Sequence, residues 1–339
     1  MGFIYGLVLV LVIFEGIIMQ CDGGCAFSSG REQDLPPLPN DVIESILSKT
    51  DFKTIQEAAQ KKIVRTTDII MSRILQDHKV HIMPGCGQKI RQNYFGDIEI
   101  RNYKGMVLFF EKFGGRVRKI DIWLDYNGGP RREITLNIIK TYAKNFEDLR
   151  ISGRGNKFQN EIFNGENGII FPEVKKFRVN SDISRNDFKL NLIFPKLEFF
   201  EIYGLIANVN CFENVKGLKE LTLFTESIKE SQFDGIFANN KNMTMICLRK
   251  PKRTKTMDSI AKHLTNLKTL KVFWPGVNFL LRSNNSPICE LPSVTHFIIK
   301  LNLMGEAFGH GNFSFDMPHL KKLTLYGFRA SNDRIVNFI

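Results

Sequence analysis

Nine short apolar triplets, each spaced Φ-x-x-Φ-x-Φ, recur from residue 117 onward. They are Val117-Ile120-Ile122, Phe146-Leu149-Ile151, Val174-Phe177-Val179, Leu197-Phe200-Ile202, Leu218-Leu221-Leu223, Met243-Ile246-Leu248, Leu267-Leu270-Val272, Val294-Phe297-Ile299 and Leu320-Leu323-Leu325. The intervals between their first residues are 29, 28, 23, 21, 25, 24, 27 and 26. Within each triplet the last two apolar residues stand two apart, so they share one side of a strand while their neighbours face the other way. A strand this short cannot shelter its apolar side alone. Stacking it beside the matching strand of the next unit does so, and produces a parallel sheet. Helix-like runs lie between triplets: EITLNIIKTYAKNF (133–146), ESQFDGIFANN (230–240) and KTMDSIAKHL (255–264). Pro172, Pro195, Pro292 and Pro318 fall two residues before a triplet, where proline stops the incoming segment without removing a ladder bond.

The mean interval, about 25 residues, lies within the range of leucine-rich repeats. The expected fold class is therefore α/β: a leucine-rich-repeat solenoid over 117–339, horseshoe-shaped, with a parallel inner sheet and helices or irregular segments outside. A chain of 339 residues is long for one compact core and suits such an array. The Asn or Cys that commonly follows the triplet is missing from most units. The position holds Asp125, Arg154, Asp182, Leu205, Glu226, Pro251, Pro275, Asn302 and Phe328. Without a side-chain ladder, stacking must rest on apolar packing, in keeping with 29 Phe against 2 Trp and 7 Tyr.

Strand positions facing away from the core would line the concave face. The residue after each triplet is Trp123, Ser152, Asn180, Tyr203, Phe224, Arg249, Phe273, Lys300 and Tyr326, five of them aromatic. Aromatics and arginine supply most of the energy at protein interfaces, so this row is the expected target-binding surface. The central outward positions add Arg150, Arg178 and Lys271 to that candidate site. The formal charge of +12 favours acidic partners. Nucleic acid would call for a denser basic stripe interleaved with stacking rings. The densest basic run, KPKRTK (250–255), reads as a solvated loop or a localisation signal.

Other function classes find little support. Cys21 and Cys25 form one close pair, and Cys86, Cys211, Cys247 and Cys289 stand alone, so neither a zinc site nor a disulfide scaffold is expected. No nucleophile turn or phosphate-binding glycine loop is recognisable. The expectation is a binding protein with no catalytic residues, no metal and no cofactor.

The N-terminal third divides differently. Residues 1–21 are almost wholly apolar, and resemble a secretory signal peptide with an h-region from Phe3 to Phe14 and cleavage near Gly23 or Ala26. An anchoring helix and a misassigned start stay open as alternatives. A linker rich in Gly, Ser and Pro follows over 22–37, then a helical module over 38–76, and a segment over 77–116 that leads into the array. In the helical module Asn40 is a good N-cap, and Val42, Ile43, Ile46 and Leu47 form one apolar stripe.

The order Leu38-Pro39-x-Asp41-Val42-Ile43-x-x-Ile46-Leu47, continued by Asp51-Phe52-Lys53-Thr54-Ile55, resembles a degenerate F-box. With irregular repeats behind it, the whole chain resembles the F-box/leucine-rich-repeat proteins. That resemblance implies that Leu38, Pro39, Val42, Ile43, Ile46, Leu47, Phe52 and Ile55 dock on a Skp-type adaptor. The adaptor links the chain to a cullin ubiquitin ligase, while the repeats hold a protein target. It also implies a cytoplasmic or nuclear location. The apolar N-terminus instead implies a secreted or membrane-anchored recognition protein.

Overall fold

The structure is a computed structural model. It describes residues 75–76, 78–83, 97–100, 103–124, 130–153, 162, 168–183, 189–204, 206, 209–212, 214–224, 228, 230–251, 255–273, 289–300, 313–326 and 336–338. The chain divides into two compact units, Met1–Ile74 and Leu75–Ile339. The apolar N-terminus, the linker and the F-box-like residues all fall in the first unit, outside the described residues. Among the described residues no helix is long and apolar enough to cross a membrane.

The second unit is α/β. Its strands and helices, in chain order, are β1 (Val80–Ile82), β2 (Ile98–Ile100), α1 (Tyr103–Phe113), β3 (Lys119–Leu124), α2 (Pro130–Tyr142), β4 (Asp148–Gly153) and β5 (Lys176–Asn180). They continue with α3 (Leu190–Ile193), β6 (Phe199–Ile202), β7 (Glu220–Phe224), α4 (Glu230–Asn239), β8 (Met245–Arg249), α5 (Lys255–His263) and β9 (Thr269–Phe273). The last are β10 (Cys289–Glu290), β11 (His296–Lys300), β12 (Phe313–Asp316), β13 (Lys322–Tyr326) and β14 (Val336–Phe338). Eleven strands form one sheet in the order β13-β11-β9-β8-β7-β6-β5-β4-β3-β1-β2, and every neighbouring pair is parallel. Each of the nine triplets supplies one strand, and the nine follow one another across the sheet in chain order.

The sheet also extends past the first triplet. β1 pairs with β3 on one side and β2 on the other, so the edge strand β2 comes later in the chain than the strand it covers. After β9 the returning segments change character: β10, β12 and β14 form a second, three-stranded parallel sheet where α2, α4 and α5 had served earlier units. Phe313, Phe315, Val336 and Phe338 are residues of high strand preference, which accounts for the change locally.

The first residue of every triplet but the fifth, which begins at Leu218, is set in place by a four-residue turn. Val174, Leu197, Val294 and Leu320 donate their backbone N–H to the carbonyls of Phe171, Phe194, Leu291 and Met317, at 3.4, 3.2, 3.1 and 3.0 Å. In all four turns proline occupies the second position, where its fixed φ suits the bend. The turn before Met243 has a buried Asn240 at its first position instead. Its Nδ2 donates to the carbonyls of Val215 (3.0 Å) and Ile236 (2.8 Å), and its Oδ1 accepts from the Leu218 N–H (2.9 Å). One amide thereby ties β7, α4 and the turn before β8 together. At Gly204 a Cβ would lie 2.3 Å from the Ser181 carbonyl carbon, so only glycine lets these two consecutive units come so close.

The core runs as a ribbon along the apolar face of the sheet. Its aromatic part is continuous: ring centroids are 5.3 Å apart for Phe171–Phe194, 4.4 Å for Phe177–Phe194, 5.7 Å for Phe177–Phe200 and 5.5 Å for Phe200–Phe212. Each fully buried aromatic contributes roughly 2–3 kcal/mol by burial. At the far edge the pattern loosens. Leu323 and Leu325 of β13 are 37% and 39% exposed, whereas the matching residues Leu221, Leu223, Leu270 and Val272 are fully buried.

Candidate functional site

A parallel sheet covered on both faces reads as continuous apolar strands; this one alternates, so one face is polar. In-register pairing aligns its outward residues into rows. The middle row runs Glu99, His81, Asp121, Arg150, Arg178, Glu201, Thr222, Cys247, Lys271, Ile298 and Thr324. A row at the strand starts holds Lys119, Asp148, Lys176, Phe199, Glu220, Met245, Thr269, His296 and Lys322. A third row, at or just past the strand ends, holds Trp123, Ser152, Asn180, Tyr203, Phe224, Arg249, Phe273, Lys300 and Tyr326. All ten expected target-binding residues lie on this face. Arg150, Arg178 and Lys271 stand in the middle row, and Trp123, Tyr203, Phe224, Arg249, Phe273, Lys300 and Tyr326 in the third.

From β1 to β6 the charges answer one another. His81 is 3% exposed and lies between two carboxylates: Nε2 is 2.9 Å from Asp97 Oδ2 and Nδ1 is 3.3 Å from Asp121 Oδ2. Burial alone would lower the imidazole pKa; the hydrogen bonds with Asp121 and Asp97 outweigh it and hold the pKa above the ordinary 6.5. Burial would likewise raise the Asp97 pKa, but His81 and the Lys79 N–H, 3.0 Å from Oδ1, hold it below the usual carboxylate range. Both ring nitrogens facing carboxylates is the arrangement of an imidazolium, which donates from each. Arg150 Nη1 stands 3.8 Å from the same Asp121 carboxylate. Asp121 Oδ1 is buried with no hydrogen-bond partner among the described residues.

The next link is Arg178. Its Nη1 donates to both Asp148 oxygens, at 2.8 and 3.1 Å, its Nε lies 3.3 Å from Glu201 Oε2, and its guanidinium rests 4.7 Å from the Phe199 ring. Lys79 Nζ adds a second cation 3.8 Å from Asp148. Asp97, Asp121, Asp148 and Glu201 thus each face a cationic or imidazole group from another part of the sheet.

At β7 and β8 the middle row sinks. Thr222 and Cys247 are buried although they point outward, because longer side chains on either side close over them. Burial pushes the Cys247 thiol pKa up, which makes it a poor nucleophile. Arg249 provides part of the cover: its guanidinium lies 4.2 Å from the Tyr203 ring and 5.4 Å from the Phe273 ring. Burial, followed by the hydrogen bond to Glu201, raises the Tyr203 pKa and keeps the phenol neutral. Lys250 Nζ lies 5.2 Å from the Phe224 ring.

Compared with protein-family models and with curated proteins, the chain matches none. The geometry therefore carries the functional reading unaided. What the face presents is a row of rings with arginine laid across them, and a pattern of charge fixed by the register of the strands. The His81 cluster was missed by sequence reasoning because Asp97 and Asp121 reach it from β2 and β3, and only the polar residue between Val80 and Ile82 hinted at it. Leu38, Pro39, Val42, Ile43, Ile46, Leu47, Phe52 and Ile55, expected to meet an adaptor, lie outside the described residues.

Proposed function

We propose that the chain is a protein-binding adaptor, the substrate-recognition subunit of a Skp/cullin/F-box ubiquitin ligase. In this reading the sheet is the inner lining of a leucine-rich-repeat horseshoe. The target lies on its concave face against Tyr203, Phe224, Arg249, Phe273 and Tyr326, and the F-box-like stripe around Ile46 holds the Skp-type adaptor. The chain itself contributes no chemistry and no cofactor: ubiquitin transfer follows from proximity, which turns a bimolecular encounter into an intramolecular one. The observation that supports it is the row of rings and arginine set in register along the strand ends of a parallel sheet.

The test is an affinity pull-down of the full chain from cell extract, probed for a Skp-type adaptor. Wild type captures the adaptor, and Ile46→Asp, which places a charge in the apolar stripe, loses it. Adaptor captured by neither, with an untrimmed N-terminus, would leave a protein-binding module without a ligase role. A second reading, a secreted or surface leucine-rich-repeat recognition protein, is favoured by the apolar run over residues 3–20. For it, the purified chain would begin near Gly24 and capture no adaptor.

A further inference from the structure

His81 lies at the near edge of the sheet, with a carboxylate at each ring nitrogen: Asp97 Oδ2 at 2.9 Å from Nε2 and Asp121 Oδ2 at 3.3 Å from Nδ1. We propose that the proton on His81 is a latch for the edge strand β2: when it is lost, β2 loosens while the rest of the sheet stays paired. This goes beyond the reading of the sheet as a target-holding surface, and stands without it.

The two carboxylates are unequally placed. Asp121 lies inside β3, which pairs with β1 on one side and β4 on the other, and its side chain is 6% exposed. Arg150 Nη1 stands 3.8 Å from the same Asp121 oxygen, so this carboxylate keeps a cation beside it whatever the state of the imidazole. Asp97 comes just before β2, its side chain is 27% exposed, and it also accepts from the Lys79 N–H, a neutral donor, at 3.0 Å. Neutral imidazole has one N–H and one lone pair, so it can serve only one of the two carboxylates, and its lone pair repels the other. The remaining proton stays where water cannot replace it, at Asp121. Asp97 can turn to water, so the contact that fails is the one that holds β2. Little else does: β2 is three residues long, pairs only with β1 among the described residues, and buries Ile98 and Ile100. Short edge segments of this kind open at a free energy well below that of global unfolding.

Among the described residues the charged groups around the imidazole are Lys79 beside β1, Asp97 and Glu99 from β2, Asp121 and Lys119 from β3, and Arg150 from β4. Lys79 Nζ is directed to Asp148, at 3.8 Å. Burial opposes the proton, and the hydrogen bonds with Asp121 and Asp97 outweigh it. The latch is therefore closed below the ordinary 6.5 and opens as pH rises through the value of the folded chain.

The experiment is hydrogen–deuterium exchange of the full chain, read by mass spectrometry on peptides that separate β2 from β3 and β4. It runs over a pH series that starts below the ordinary 6.5. Rates are corrected for the base catalysis of exchange itself, and the His81 ring signals in NMR mark where the imidazole titrates. The expected result is that β2 loses protection by about tenfold or more across that titration, while β3 and β4 change less than about threefold. Asp97→Asn offers the ring an amide that suits either protonation state, so it should flatten the pH dependence of β2 and leave β3 unchanged. His81→Gln should leave β2 weakly protected at every pH; should that variant fail to fold, Asp97→Asn decides alone. Equal loss across β2, β3 and β4 would make the cluster a support for the whole sheet and overturn the latch. Protection of β2 that ignores the titration, or a pH dependence that survives Asp97→Asn, would overturn it as well.

Discussion

The outward face from β1 to β7 and the outward face from β8 to β13 are built on one continuous sheet, yet their charges do different work. In the first, carboxylate and cation meet at 2.8–3.8 Å across neighbouring strands, and the most buried of them, His81 and Asp121, are locked together. In the second, rings and cations alternate without a carboxylate in the row. Charge that faces its opposite within the molecule stabilises the fold and is already satisfied; the second region instead sets cations side by side with rings, in register from strand to strand. Two regions with the same backbone thus differ in charge by side chains alone.

The sharpest way to probe that division begins beneath it. Phe177→Ala, in the aromatic ribbon under the balanced region, should cost about 4 kcal/mol, while Leu325→Ala, under the edge of the cationic region, should cost about 1–2 kcal/mol. Urea denaturation measures both, and equal losses would mean that the last rung is as well sheltered as the middle ones. Next, Asp121→Ala should destabilise by about 3 kcal/mol, because it strips His81 and Arg150 of a shared buried partner; a loss below about 1 kcal/mol would deny the cluster a structural role.

The pH dependence should be localised too. His81 has a raised pKa in the folded chain, so its contribution is complete below the ordinary 6.5 and fades as pH rises through the folded value. Asp97, with a lowered pKa, contributes above its ordinary 3.8 and fades on acidification. Thermal melts should therefore show wild type losing more stability than His81→Gln as pH rises above the ordinary 6.5. Smallest of all, Lys271→Gln should change folding stability by no more than about 0.5 kcal/mol, and a larger loss would place the cationic region among the structural charges.

Much of the sheet was legible because its signal is local. Each Φ-x-x-Φ-x-Φ triplet became one parallel strand, the proline turns sit two residues ahead of four of them, and the runs at 133–146, 230–240 and 255–264 became α2, α4 and α5 with a short 3-10 turn after α2. Within the segment that leads into the array, β1 and β2 pair beside its first strand and extend the main sheet. What escaped was non-local. Period-2 alternation says that Thr222 points outward, but not that it is buried there. The second sheet escaped because β10, β12 and β14 are two to four residues long, with no repeat of their own to mark them. Asn240 escaped because one polar residue in an apolar turn position looks like a defect until its three hydrogen bonds are seen.

The order β2-β1-β3 at the near edge bears on how the chain is made. Protein synthesis is vectorial, and β1 leaves the ribosome before either of its ladder partners exists. Its backbone can be matched on both sides only once residue 122 has emerged, after which each later rung has a finished neighbour waiting for it.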